Sequence, residues 1–264
     1  MKIFIEGLEI FAAHGVLESE KTNPQPFIFD VCMDADLEEA AVCDDVSKTV
    51  NYAEACAVIK QTATEKQYDL LESLARECAI TLLEKFKKLD SVSVKISKPK
   101  APVEAQFTNM AVEYRAERNI VYLSVGSSLG DRERTIKSAL AKLDAMRGIE
   151  VKRVTPNIRT APEGGVAKNE FLNCAAEVEC LLSPAALLDK IHTVESHLGR
   201  TREMRWDDRT IDIDIIFFGD KVIAQNGLAV PHPLYSQRAF VIEPLKQLCP
   251  EKVCPLLHKA VKDM

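Results

Sequence analysis

Between Arg200 and Asp214 the chain reads RTREMRWDDRTIDID, so the guanidinium groups of Arg200, Arg202, Arg205 and Arg209 stand directly before two carboxylates spaced two residues apart. In a strand, residues i and i+2 share a face, so Asp212 and Asp214 point together while Ile211, Ile213 and Ile215 take the opposite, apolar face. Hard cations such as Mg2+ take oxygen ligands from one or two carboxylates plus substrate phosphates, and arginine meets phosphate oxygens with paired donors. The chemistry that suits this block is metal–nucleotide binding. An exposed strand edge with surface acids and a solvated arginine loop has the same spacing, and the pattern alone does not choose. Trp206, inside the same block, reads either as a hydrophobic anchor or as an aromatic surface that stacks on a ligand.

The elements that must position these groups follow from periodicity and punctuation. Residues 2–10 and 27–36 read as strands, and Asn51 followed by Glu54 marks a helix start with a capping-box-like signal near residues 52–66. Leu71, Leu74, Ala75, Cys78 and Leu82 make an apolar stripe for a helix over about 70–86, and strands follow at 91–97 and 108–115. A short polar break at Ala116–Asn119 divides the chain into 1–118 and 119–264. The second part reads as strand 120–126, helix 131–145, strand 149–155, a glycine-containing loop over 160–170, strand 173–181, helix 184–197, strand 211–217, a small hairpin and a helix near 236–246. Mixed strands and helices in this order predict an α+β architecture with helices on one or both sheet faces.

Composition narrows the function classes. Residues 1–118 hold 14 Lys plus Arg against 21 Asp plus Glu, a net of −7, whereas residues 119–264 hold 20 against 19, a net of +1. The arginines are thus concentrated where phosphate chemistry is expected, and an overall charge of −6 without a basic block argues against nucleic acid. The eight cysteines form no CxxC pair, the five histidines lack metal spacing, and most cysteines fall in apolar runs, so they read as buried, reduced thiols. Without a signal peptide or an apolar stretch near 20 residues, the expectation is a cytoplasmic protein with no membrane partner. Gly126-Ser127-Ser128-Leu129-Gly130 is not a GxxxxGK[ST] loop, which removes the P-loop kinases.

Four landmarks in order, Tyr122–Gly130, Phe171-Leu172-Asn173, Arg200–Asp214 and Val230-Pro231-His232-Pro233, resemble the 6-hydroxymethyl-7,8-dihydropterin pyrophosphokinases of folate biosynthesis. The resemblance covers about residues 119–264 and implies a ferredoxin-like α+β domain. It further implies that Asp212 and Asp214 bind two Mg2+ ions with ATP, that Arg205 and Arg209 act in catalysis, and that Glu195, Arg200, Arg202, Arg205, His232 and Arg238 meet the nucleotide. Phe171 and Phe240 would sandwich the pterin, with Thr160 and Asn173 at the pocket edge and Trp206 on a lid that folds over the bound substrates. The pattern departs from the family at Ser128, where asparagine is usual, at Phe171 for a tyrosine, and at Leu234, where an arginine is often found.

Residues 1–118 resemble dihydroneopterin aldolases through His14-Gly15-Val16-Leu17, Val50-Asn51-Tyr52, Asp69–Ala75 and Val94–Pro99. The resemblance implies a tunnelling-fold domain whose subunits join their sheets into a ring, a tetramer or a stacked octamer, with sites between neighbouring chains. Glu72 matches the carboxylate that anchors the pterin ring, Lys98 the lysine that moves protons, and Tyr52 and Glu20 the other catalytic polar groups. No Schiff base and no metal is expected, because the dihydropterin ring itself stores the electrons of the broken carbon–carbon bond. His14 is expected to shape a turn. The joint expectation is one enzyme that acts on 7,8-dihydroneopterin and then, with ATP, on 6-hydroxymethyl-7,8-dihydropterin.

Overall fold

The computed structural model describes residues 1–162, 169–200, 208–225 and 227–264, and their contacts separate into two compact units, Met1–Arg118 and Asn119–Met264. In unit 1 four antiparallel strands, β1 (Lys2–Ala12), β2 (Gln25–Ala35), β3 (Leu89–Ser97) and β4 (Ala111–Glu117), pair in the order β1-β2-β3-β4. Strict alternation in β2 buries Phe27, Phe29, Val31 and Met33 on one face. Against that layer pack the helices α3 (Tyr52–Glu65) and α4 (Leu71–Lys85), which bury Ile59 and the stripe Leu74, Cys78 and Leu82. Each such side chain contributes about 1.5–3 kcal/mol on leaving water.

Two short helices, α1 (Glu18–Thr22) and α2 (Glu38–Cys43), were not legible in the sequence, because one or two turns are too few to show a period. Asn51 does cap α3, accepting a hydrogen bond from the Ala53 amide at 3.0 Å, but Glu54 meets the Asn51 side chain instead of its amide, so the reciprocal box is not closed.

Unit 2 is built on β5 (Asn119–Ser127), β6 (Ile149–Val154), β7 (Ile158–Thr160), β8 (Phe171–Cys180) and β9 (Asp212–Phe218), ordered β6-β8-β5-β9 with β7 also on β8. Val121, Leu123 and Val125 of β5 are fully buried on one face, and α5 (Arg132–Asp144) and α6 (Pro184–His197) pack on each other and on the sheet. Ser183 caps α6 ahead of Pro184, whose missing N–H is harmless at that position. The alternate residues Tyr122, Ser124 and Gly126 face the other way. There α7 (Ala239–Leu248) lays Val241, Ile242 and Leu245 against Ala175 and Phe217. The hairpin strands β10 (Ile223–Gln225) and β11 (Leu228–Val230) lie between β9 and α7 in sequence.

Cys78, Cys174, Cys180, Cys249 and Cys254 are buried, but Cys43 is exposed and Cys32 and Cys56 half-buried, so the expectation of buried thiols holds for five of eight. No helix among the described residues is long and apolar enough to cross a membrane.

Candidate functional sites

In unit 2 the polar face of the sheet carries a row of facing residues. Gly126 pairs with Asp212 on one side and with Asn173 on the other, and two residues along β5, Ser124 pairs with Asp214 and Ala175. The centre of the row is small, which leaves room above it. At Gly126 a Cβ would stand 2.5 Å from the Asn173 side-chain oxygen, so only glycine permits this approach. The result is a cavity of about 220 Å3 whose lining includes Asp212, Asp214, Asn173, His232, Arg238 and Arg209. Phe171, Phe240, Thr160, Ala161 and Leu234 complete its walls with Ser124 and Gly126. Asn173 donates to Thr160 Oγ1 at 2.8 Å, which fixes the amide orientation at the pocket edge.

The charges in this cavity are balanced within unit 2. Arg200 donates to Asp212 at 2.8 Å and also pairs with Glu195, while Arg209 pairs with the other Asp212 oxygen. Glu195 is 2% exposed and accepts the Ile213 amide at 2.9 Å, so it braces Arg200 and β9 from behind; it is not among the cavity-lining residues. Burial raises the Glu195 pKa despite the Arg200 charge. Burial, and next the Asp212 charge, push Asp214 up to about 7, against the opposing pull of Arg238, Arg200 and Arg209. Burial also lowers the His232 pKa, with Arg238 adding to the effect; its Nδ1 accepts the Leu234 amide at 3.3 Å, so the neutral ring carries its proton on Nε2.

Two half-buried carboxylates on one wall, with oxygen donors only, fit a hard divalent cation. Among the described residues no group of three or more His, Cys, Asp or Glu could hold a metal unaided, so such an ion would draw further oxygens from water or from a phosphate ligand.

Ser128, the departure from the asparagine pattern, still performs a holding task. Its amide donates to the Arg209 carbonyl at 2.9 Å and its hydroxyl accepts the Arg209 amide at 2.8 Å. Asp208 accepts from both the backbone and the side chain of Asn169, at 3.2 and 2.8 Å. Neither Asn169 nor Ser124 was singled out in the sequence; for Ser124 the available signal was its i−2 spacing from Gly126 on a strand. Arg202, Arg205 and Trp206 lie outside the described residues.

Unit 1 gathers only part of its expected set. Lys98, 8% exposed, directly follows β3 and donates to Glu20 at 2.5 Å and to the His14 carbonyl at 3.3 Å. The Glu20 carboxylate also accepts the Leu17 amide at 3.2 Å and rests against Gly15, where a Cβ would lie 2.3 Å from it and φ is +140°. Burial by itself would raise the Glu20 pKa, but the Lys98 ammonium and the Leu17 amide hold it below the usual carboxylate value. Two directions of the ammonium are used, and a third suits water or a substrate oxygen.

Tyr52, at the first position of α3, is 66% exposed, and Glu72, in the first turn of α4, is also exposed. Among the described residues no hydrogen bond or ion pair joins either to Lys98 or Glu20. His14 differs from the expectation of a simple turn former: it is buried beneath this cluster, packed against Phe27 and Tyr68.

Residues 3–115 match the family model of dihydroneopterin aldolase, and residues 122–250 match that of 7,8-dihydro-6-hydroxymethylpterin-pyrophosphokinase. The 2-amino-4-hydroxy-6-hydroxymethyldihydropteridine pyrophosphokinase of Bacillus subtilis is 40% identical over 131 residues, which are 50% of this chain and 78% of that protein. The folic acid synthesis protein FOL1 of Dictyostelium discoideum is 29% identical over 284 residues, 97% of this chain, but the chain spans only 43% of that relative's length. Among solved structures, an E. coli dihydroneopterin aldolase in complex with neopterin is 32% identical, covering 44% of this chain and 97% of that one, with a TM-score of 0.41.

Proposed function

We propose, for a chain that belongs to the dihydroneopterin aldolase family in its first unit and to the 7,8-dihydro-6-hydroxymethylpterin-pyrophosphokinase family in its second, a division of labour at the boundary 118/119 with the side-chain roles that follow. The chain is a bifunctional enzyme of folate biosynthesis: retro-aldol cleavage of 7,8-dihydroneopterin, then ATP-dependent pyrophosphorylation. The first reaction gives 6-hydroxymethyl-7,8-dihydropterin and glycolaldehyde. The second moves a pyrophosphoryl group to the hydroxymethyl oxygen and releases AMP. The product of one site is the substrate of the other.

In the aldolase, Glu72 accepts the paired donors of the aminopyrimidinone edge of the pterin. Cleavage leaves an electron pair that the conjugated ring takes up, so the protein has only to move protons. Lys98 relays them through water, with its ammonium held by Glu20 and the His14 carbonyl, and Tyr52 assists protonation of the enamine-like intermediate. Because Tyr52 stands exposed and apart from the buried Lys98–Glu20 pair, the reading includes a homo-oligomer, a tetramer or octamer, in which Tyr52 of a second copy completes a site whose Lys98 and Glu72 come from one chain. The tunnelling fold belongs to the same reading, as does the ferredoxin-like label for unit 2. So does a cytoplasmic location.

In the kinase, Phe171 and Phe240 hold the pterin between aromatic faces while Asn173 and Thr160 meet its polar edge. Asp212 and Asp214 hold Mg2+, taken as two ions with ATP, which supplies charge neutralisation on the phosphate oxygens. Arg200 and Arg209 now neutralise Asp212; with the nucleotide bound they turn to its phosphates, together with His232 and Arg238. Arg202 and Arg205 also meet the nucleotide, Arg205 and Arg209 act in catalysis, and Trp206 binds the pterin. Glu195 serves the nucleotide indirectly, by bracing Arg200.

The observation that carries the kinase reading is the convergence of both aspartates, both phenylalanines and Asn173 on one cavity. Supplying 7,8-dihydroneopterin with Mg-ATP tests the whole: glycolaldehyde, AMP and the pyrophosphorylated pterin should all form. Absence of glycolaldehyde would overturn the assignment of unit 1, and absence of AMP when 6-hydroxymethyl-7,8-dihydropterin is supplied directly would overturn that of unit 2.

A further inference from the structure

His14 is 1% exposed, with its ring bonded to the backbone of Tyr68 and its carbonyl to the Lys98 ammonium. Nδ1 accepts the Tyr68 amide at 3.2 Å, and the Gly15 amide donates back to the Tyr68 carbonyl at 3.0 Å, so residues 14–15 and 68 are bracketed twice. The ring also packs on Phe27 at 5.2 Å, the same ring over which the Lys98 ammonium sits at 5.7 Å. The His14 carbonyl is one of the two acceptors that hold that ammonium.

Since Nδ1 accepts, the proton of the neutral imidazole is on Nε2. That N–H makes no hydrogen bond of good geometry and faces the Ala63 carbonyl, in the last turn of α3, where carbonyls lack intrahelical partners. Burial, reinforced by the Lys98 charge, holds the ring neutral. A carbon ring would fill the same space without a poorly satisfied N–H, so space filling does not account for an imidazole here.

We propose that His14 is a positioning residue for the aldolase reaction: by locking residue 68 to residues 14–15 it fixes the Lys98 ammonium relative to the start of α4, which carries Glu72. The idea rests on the reading of Lys98 as proton relay and Glu72 as pterin anchor. Tyr68 lies four residues before Glu72, and the His14 carbonyl touches Lys98 directly, so one residue, through its ring and its backbone, links the two roles. Small displacements of a reacting group cost rate steeply.

The test measures aldolase kcat and KM on the full-length enzyme for His14→Leu, His14→Asn, His14→Gln and Lys98→Ala. Pyrophosphokinase turnover, oligomer mass and circular dichroism report folding. His14→Leu should lower kcat about tenfold or more, while the pyrophosphokinase keeps its rate. His14→Asn, whose oxygen can stand where Nδ1 stands, should recover to within about threefold of the parent, and His14→Gln, whose oxygen cannot, should not. If Lys98→Ala retains normal turnover, the proton-relay reading itself fails. If Lys98→Ala is inactive but folded His14→Leu keeps its kcat, the positioning proposal is overturned. Should His14→Leu not fold, the Asn and Gln variants decide: equal activities in the two would overturn it.

Discussion

In unit 2 Asp212, Asp214, Arg209, Arg238 and the aromatic walls already converge on one cavity, whereas in unit 1 the Lys98–Glu20 pair is buried and the expected partners Tyr52 and Glu72 face outward. The contrast has a topological cause. Asp212 and Asp214 on β9 and Phe171 and Asn173 on β8 flank the same strand β5, so strand register alone sets Asp212, Gly126 and Asn173 side by side. The aldolase candidates sit at the ends of a strand and of three helices, Lys98 after β3, Glu20 in α1, Tyr52 opening α3 and Glu72 opening α4, and no ladder binds those ends together. A site made from one sheet can be complete in one chain; a site made from element ends needs further surface to close it.

The comparison can be broken by substitution. Lys98→Ala should cut aldolase turnover about 10²–10⁴-fold, the range for loss of a positioned proton-transfer group, and leave pyrophosphoryl transfer from supplied 6-hydroxymethyl-7,8-dihydropterin unchanged. Asp214→Ala should do the reverse, lowering pyrophosphoryl transfer about 10²–10³-fold across a Mg2+ titration while glycolaldehyde release continues at the parent rate. Loss of both activities in either variant would mean that the two sites are not separable. Ser128→Ala removes the hydroxyl that accepts the Arg209 amide and donates to the Arg209 carbonyl, each bond worth about 1 kcal/mol, and should raise the ATP KM a few-fold with little change in melting temperature.

The smallest effect is a pH dependence. The folded His14 pKa is depressed below its ordinary value by burial first and by Lys98 second. The unfolded chain therefore binds a proton there at a pH where the folded chain does not. The stabilisation is fully present above about pH 6.5 and is lost as the pH falls towards and through the depressed folded value. Thermal unfolding of unit 1 in the full chain should fall more steeply with acid in the parent than in His14→Asn; parallel slopes would show that His14 does not titrate on unfolding.

Much of unit 2 was legible because its signals are local. The i, i+2 spacing of Asp212 and Asp214 survives as one wall of the cavity, and Ile211, Ile213 and Ile215 are buried on the other face as alternation requires. Helix α6 could be read to its ends, since Ser183-Pro184 announces its start. The part that escaped depends on partners distant in sequence. Nothing near Ser124 says that β9 will set Asp214 beside it, and nothing near His14 says that the amide of Tyr68 will meet its ring. Glu195 shows the same limit: a carboxylate on the last turn of a helix reads as surface or ligand contact, but β9 packs over it and turns it into a buried brace. The short helix α1 has too few turns to show a period, and the contacts that hold it, the Leu17 amide on Glu20 and Glu20 on Lys98, are again visible only in the folded chain.

Mixing inactive variants tests the contrast between a shared and a self-contained site most directly. Lys98→Ala and Tyr52→Phe chains, each inactive as aldolases, are dissociated, combined in equal amounts and reassembled. If Tyr52 of one copy serves Lys98 of another, aldolase turnover should return to about a quarter of the parent value, because random neighbours restore that share of sites. Asp214→Ala mixed with Arg238→Ala should regain no pyrophosphoryl transfer, since both groups line one cavity of one chain. No recovery of glycolaldehyde release in verified mixed oligomers, or recovery of AMP release in the second mixture, would contradict the account.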